Sequence, residues 1–215
     1  MKTSLAFLLV RTAAWMLLVL SASIALPILC RPFYYLHIAL LHLPDALPWS
    51  AEEMRAAYDE MLNFCLFGTP FGTGALRWSQ SGMSHFADCA RLFRLDFLVL
   101  GGSAAVLLFC ALLRRRGLRP ARPLGRGDGF WAGILLSAAV LIAAILAALD
   151  FDRAFVLFHH LFFPGKDNWL FDPSVDQIIL ILPEVFFRNC AILAAACLFA
   201  ACAGLILWDL RRSRH

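Results

Sequence analysis

Four stretches of the chain stay apolar long enough to cross a bilayer, and polar or Gly/Pro-rich segments part them: Thr12 to Cys30, Phe97 to Leu113, Phe130 to Leu149 and Cys190 to Trp208. A hydrocarbon core about 30 Å thick takes roughly 20 residues of helix. The second stretch is short, and Leu95 to Phe97 or a snorkelling Arg114 completes it. The pattern predicts an all-α polytopic protein of four transmembrane helices, organised as one integral membrane domain over 1–215.

The segment between the first two spans, 31–95, is longer than a linker needs to be. In "PWSAEEMRAAYDEMLNF" Ser50 can cap a helix while Glu53, three residues on, reaches back as its capping-box partner. Met54, Ala57, Tyr58, Met61 and Leu62 then repeat on one face, against the membrane or neighbouring helices. "FGTPFGTGALRWSQSG" breaks the helix; its Phe71, Leu76 and Trp78 could dip into the membrane interface. Helix resumes at "SHFADCARLFRLDF" and runs into the second span. In the other long segment, 150–187, Phe155 to Phe163 extends the third span to head-group level and "PGKDNW" turns. Asp172 and Pro173 open a short helix to about Leu182, and Pro183-Glu184 starts the helix of the fourth span.

Composition agrees with the pattern: 61% of the 215 residues are hydrophobic and mean hydropathy is +0.75, against roughly 45–50% apolar residues in soluble domains. Charge then orients the spans. Lys2 and Arg11 precede the first; Arg114, Arg115, Arg116, Arg119, Arg122 and Arg126 separate the second from the third; Arg211, Arg212 and Arg214 follow the fourth. All three clusters fall on one side, which predicts cytoplasmic termini, a cytoplasmic loop 114–129 and extracytoplasmic loops 31–95 and 150–187. The net charge of +4 is thus a mark of topology, and nucleic-acid binding is not expected. The loop "RRRGLRPARPLGRGDG" is read either as a topology determinant only or as a flexible loop in contact with anionic head groups. Lys2, an apolar run and "SAS" partly imitate a signal peptide, and "LPILC" imitates a lipoprotein acceptor site. Leu29 lacks the small side chain that such a site requires, and 12–30 is read as a span.

Seven cysteines show no metal spacing; Cys110, Cys197 and Cys202 lie in spans, and Cys30, Cys65, Cys89 and Cys190 leave room for one disulfide. Chemistry rests on histidine, whose pKa of about 6.5 lets it take and return a proton near neutrality. His85 and Asp88 are three apart, so on a helix the carboxylate could orient the imidazole or stabilise its protonated form. His159 and His160 end the third span on the same predicted side. His37 and His42 read as interface anchors, and the terminal His215 carries no signal. His85, Asp88, His159 and His160 could instead hold zinc for a metal-dependent hydrolase, although no local metal motif is present. Cys89, four residues from His85, could serve as a nucleophile but reads better as packing. A transporter would need charges within the spans to line a path, which the sequence lacks.

The ordered set "FHHLFF", "WLFDPSVDQII" and "LPEVFF", with "YDEMLNF" before "GMSHFADCARLF", resembles the bacterial lipoprotein intramolecular transacylase (Lit) family. The resemblance covers most of the chain and implies a bacterial membrane acyltransferase without a cofactor. It implies that an ester-linked fatty acid leaves the diacylglyceryl group of a lipoprotein's N-terminal cysteine for that cysteine's α-amine. Its partners would be diacylated lipoproteins and membrane lipid. The family's catalytic histidines fall on His85 and His159, with His160 at a variable place. Residue chemistry suits one base and one oxyanion donor: His159 as base, His85 as a donor oriented by Asp88, or the reverse. Trp169 would lie at head-group level and Asp172 would cap the helix carrying Asp176. Asp176 and Glu184 would hold the histidines or bind the ammonium group. A non-catalytic membrane assembly protein of the same fold is the rival reading.

Overall fold

A computed structural model describes residues 3–212; Lys2, Arg214 and His215 lie outside them. The elements in order are β1 (Thr3–Ser4), α1 (Leu5–Leu29), α2 (Arg31–Leu40), α3 (Leu43–Ala46), α4 (Ala51–Phe67), α5 (Gln80–Arg115), β2 (Arg119–Pro120), α6 (Asp128–Leu149), α7 (Phe151–Phe162), α8 (Ile178–Ile181) and α9 (Glu184–Arg212). Four of them, α1, α5, α6 and α9, are long and apolar enough to cross a membrane; three contain a predicted span whole, and α1 ends at Leu29, one residue short of the first. Chain contacts form two compact units: one from residues up to 26, 96–149 and 192 onward, the other from 27–95 and 150–191.

The first unit is a bundle of span helices. Val19, Leu136, Leu198 and Cys202 form its core, while Leu98, Ile142 and Leu146 stay exposed as lipid-facing side chains would. Gly133 lets α6 approach α9: a Cβ there would lie 2.8 Å from the Cys202 carbonyl oxygen and 2.7 Å from Ile206 Cγ1. The segment 114–129 is held in place, contrary to the flexible-loop reading. β2 pairs in parallel with β1, and Asp209 accepts from the Gly127 N–H at 3.1 Å and from Arg122 at 3.4 Å. Arg11, read in sequence only as a topology signal, is buried. Its guanidinium is 2.7 Å from Asp128 Oδ2, which also accepts from Trp15 Nε1 at 3.0 Å.

The second unit has its own aromatic core. Ser50 and Glu53 close the expected capping box at the start of α4, and the face Met54, Ala57, Tyr58, Met61, Leu62 is buried with Tyr34, Ile38, Ile178 and Ile181. Tyr34 stacks on Tyr58 at 4.0 Å, and its hydroxyl donates to the Ile181 carbonyl at 3.1 Å. Leu76 lies in this core and Phe71 packs against it, so neither serves as the expected interface anchor; Trp78 is exposed. His37 is also interior: Nδ1 donates to the Phe33 carbonyl at 2.7 Å and Nε2 accepts from Asn189 at 2.9 Å. His42 remains exposed beside Asp45.

Two helix boundaries differ from expectation, each for a local reason. Asp150 takes an extended conformation and accepts from the Arg153 N–H at 2.9 Å, so α7 is a newly capped helix and does not prolong the third span. Asp172 caps only a turn, accepting from the Ser174 N–H at 2.8 Å. Helix does not continue from there because the chain pairs with a distant segment: Gln177 N–H donates to the Arg77 carbonyl, and Arg77 N–H to the Gln177 side chain. Only Ile178–Ile181 is helical before Pro183. All seven cysteines are free, so the expected room for a disulfide is unused.

Candidate active site

His85 and His159 come together within the second unit, their ring centroids 5.8 Å apart, and each is only 6% exposed. α5 presents His85 and α7 presents His159. Four aromatic rings enclose the pair: Phe163 and Phe171 lie 4.9 and 5.4 Å from His85, Phe155 and Trp169 4.2 and 4.5 Å from His159. Such walls exclude water and strengthen each polar contact inside them.

The hydrogen bonds give the two imidazoles different capacities. His159 Nδ1 lies 2.8 Å from the Phe155 carbonyl oxygen. A carbonyl only accepts, so this nitrogen carries the hydrogen and the neutral ring leaves Nε2 as its basic atom. Burial pushes the His159 pKa below the ordinary histidine value; the Phe155 bond offsets this in part, and His160 adds to it. On His85, Nε2 is 3.5 Å from Cys89 Sγ, while Nδ1 is buried without a partner. Cys89 is therefore a neighbour of His85, as the one-face spacing suggested. An unpaired buried nitrogen costs about 1–3 kcal/mol, a cost that a group entering the site can relieve.

Asp88 does not orient His85, contrary to expectation. Its carboxylate is taken by Lys166 Nζ, 2.6 Å from both oxygens, by Asn168 Nδ2 at 3.1 Å and by Arg91 at 2.7 Å. The same Asn168 nitrogen donates to Ser84 Oγ at 2.8 Å. Lys166 and Asn168 stand in a polar turn that carries no motif, and the one signal in the sequence is that Lys166 is the only lysine besides Lys2. The contacts tie the 163–169 loop to α5. Gly165 turns it with φ +71°, Trp169 Nε1 donates back to the Lys166 carbonyl at 2.9 Å, and the Trp169 ring stacks on His159 with a tilt of 25°. Trp169 is thus buried as a wall of the site. Lys166→Met is expected to speed amide exchange through 166–170 and lower turnover about ten-fold, since small misplacements of reacting groups are costly. Exchange rates matching those of the wild type would show that the ion pair does not hold this loop.

Asp176 makes no hydrogen bond to either histidine, but it fixes the start of the helix that bears His85. Its oxygens accept from Ser79 N–H at 2.7 Å and Ser79 Oγ at 2.8 Å, and Ser79 Oγ accepts from the Gly82 N–H, capping α5. The carboxylate also favours the positive end of that helix. A Cβ on Gly82 would run into Asp176 Oδ1, so glycine is required for this contact. Glu184 is exposed in the first turn of α9 with Asp152 as its neighbour, and no hydrogen bond joins it to either histidine. His160 is exposed, edge-on to Trp169 at 5.8 Å. The four groups considered for zinc do not converge: among the described residues no three His, Cys, Asp or Glu side chains gather to hold a metal.

The profile of the family described as lipoprotein intramolecular transacylase Lit matches residues 9–187. The chain belongs to this family. The fold agrees with the assignment. An in meso structure of the membrane integral Lit from Bacillus cereus is similar with a TM-score of 0.82 and 24% identity, over 97% of this chain and 96% of that one. Two further structures of the Bacillus cereus protein carry histidine mutations, one to arginine and one to alanine. Each has a TM-score of 0.79 and 22% identity over 97% of this chain, with 92% and 94% of theirs covered. No curated protein matches. As a Lit member the chain is an acyltransferase, an intramolecular transacylase of lipoproteins, and it resides in a membrane.

Proposed function

We propose that this Lit member uses His159 as general base and His85 as oxyanion donor to move an ester-linked acyl chain. The chain passes from the diacylglyceryl group to the α-amine of a lipoprotein's N-terminal cysteine, leaving a lyso-form lipoprotein. The observation that carries the reading is the enclosed histidine pair, with one ring's Nε2 left basic by the Phe155 bond. His159 Nε2 accepts a proton from the attacking amine, nitrogen adds to the ester carbonyl, and a tetrahedral oxyanion forms. With the Cys89 thiol donating to His85 Nε2, the hydrogen of that ring sits on the unpartnered Nδ1, which donates to the oxyanion. The intermediate collapses with cleavage of the C–O bond, and the proton on His159 passes to the leaving glyceryl oxygen. Amine and ester belong to one molecule, so positioning supplies much of the rate, of order 7–11 kcal/mol in favourable intramolecular cases. Asp88 and Lys166 act on the loop that bears Trp169, and Asp176 on the helix that bears His85. We place both termini in the cytoplasm and the site on the extracytoplasmic face, as the arginine clusters support.

The test is mass spectrometry of lipoprotein N-terminal peptides from a bacterium lacking the activity, expressing wild type or His159→Ala at matched levels. N-acyl, S-monoacylglyceryl cysteine with wild type alone supports the proposal; its equal appearance with the variant overturns the role of His159.

The lowered His159 pKa gives a pH expectation. The neutral ring is the active form and burial favours it, so the base should stay competent as pH falls through 6.5 and be lost only below that, while the substrate's α-amine, ordinarily about 7.7–8.0, sets a separate limb of the rate at higher pH. The same shift makes the stability contribution of this group complete above 6.5 and lost as pH drops through the lowered folded-state value. Titration of the His159 ring itself, followed by NMR of imidazole-labelled protein, checks this. A midpoint above 6.5 would contradict the assignment.

A further inference from the structure

We infer that the arginine-rich end of the span bundle is a binding site for the phosphate head group of an anionic phospholipid. Two adjoining cavities of about 210 and 340 Å³ share Arg114, Arg119 and Arg212 in their walls. They lie where three spans terminate: α5 ends at Arg115, α6 begins at Asp128 and α9 ends at Arg212. That is head-group depth for a membrane protein of this length of helix.

Charge accounting identifies the ligand class. The acids lining the smaller cavity are Asp128 and Asp209, and both are engaged: Asp128 by Arg11 and Trp15, Asp209 by Gly127 and Arg122. Among the described residues, Arg114, Arg119 and Arg212 make no ion pair or side-chain hydrogen bond, and Arg114 feels the Asp128 carboxylate at longer range along with the repulsion of Arg11, Arg119 and Arg212. Three guanidinium groups around a shared space repel one another, and an anion relieves that repulsion. Guanidinium forks suit phosphate oxygens, which they can bind in pairs. A topology signal needs only the number of arginines and no cavity.

The surroundings favour a lipid over a free anion. Trp208 borders the smaller cavity, and Arg212 lies over its ring at 4.8 Å from the centroid, an aromatic placement common at the membrane interface. Leu112 and Leu207, two and five residues before Arg114 and Arg212, are 49% and 53% exposed and offer apolar surface to acyl chains. Inorganic phosphate shares the head-group chemistry but gains nothing from that surface. This site is independent of the histidine pair and of the reaction assigned to it.

The experiment titrates full-length protein in detergent with dioleoylphosphatidylglycerol, dioleoylphosphatidylcholine or inorganic phosphate, reading occupancy by native mass spectrometry and Tm. The expected result is at least ten-fold tighter binding of phosphatidylglycerol than of phosphatidylcholine, and at least a ten-fold loss in Arg114→Gln/Arg212→Gln. Arg116→Gln/Arg211→Gln removes the same charge from positions that line neither cavity, and should change affinity less than about two-fold. Equal losses in the two double variants would reduce the site to diffuse charge and overturn it. Displacement of phosphatidylglycerol by millimolar phosphate, with the same rise in Tm, would assign the cavity to a soluble anion instead. If the Arg114/Arg212 variant fails to fold, Arg119→Gln alone carries the test, with an expected loss of about three- to five-fold; no loss there overturns the site.

Discussion

His159→Gln is expected to slow acyl transfer by roughly 10²- to 10⁴-fold, the range that a positioned base contributes, while melting close to the wild-type temperature. Glutamine is the informative replacement because its amide N–H₂ can still donate to the Phe155 carbonyl and its flat end can still lie against Trp169. What it cannot do is hold a proton. Initial rates of N-acyl product formation on a diacylated lipopeptide, measured beside thermal unfolding, separate lost chemistry from lost fold. A variant that kept more than about a tenth of the rate would remove His159 from proton transfer and shift attention to His85.

The largest stability effect is expected at Asp128. Replacing it by alanine strands the Arg11 guanidinium, which is 4% exposed, and removes the acceptor for Trp15. Breaking one side of a buried ion pair costs about 3–5 kcal/mol, much of it the burden of the remaining charge. Arg11→Met/Asp128→Leu, which removes both charges, should therefore be more stable than Asp128→Ala alone. Thermal or denaturant unfolding in detergent decides the matter: a double variant no better than the single would mean that the pair stabilises beyond what its removal as a unit forfeits.

The span pattern was legible because hydropathy depends only on local composition. Four apolar runs became four helices, and the Ser50–Glu53 box formed because its partners are three residues apart. The histidines were found as candidates by residue type, but their surroundings required the tertiary fold. Asp88 lies three residues from His85, which favoured pairing them; Lys166, 78 positions away, takes the carboxylate instead. Asp172 and Pro173 looked like a helix start by local rules, yet the Gln177–Arg77 hydrogen bonds across 100 positions redirected the chain. His37 read as an interface residue because amphipathic rings suit that zone, and nothing local showed that Asn189 would reach it. Local rules thus placed the span helices and the α4 cap, while the walls of the site were settled by long-range contacts.

The Lys166–Asp88 pair bears on which amine is acylated. An enzyme that makes amides from esters is exposed to its own product chemistry if it carries a free amine close to the reacting carbonyl. Lys166 is the amine of the 163–169 loop, three residues before a ring that stacks on His159. An ammonium held against two carboxylate oxygens has no lone pair to offer an ester. Under the reaction proposed for the histidine pair, the contact that fastens the loop also keeps the loop's own amine bound to a carboxylate and away from the ester.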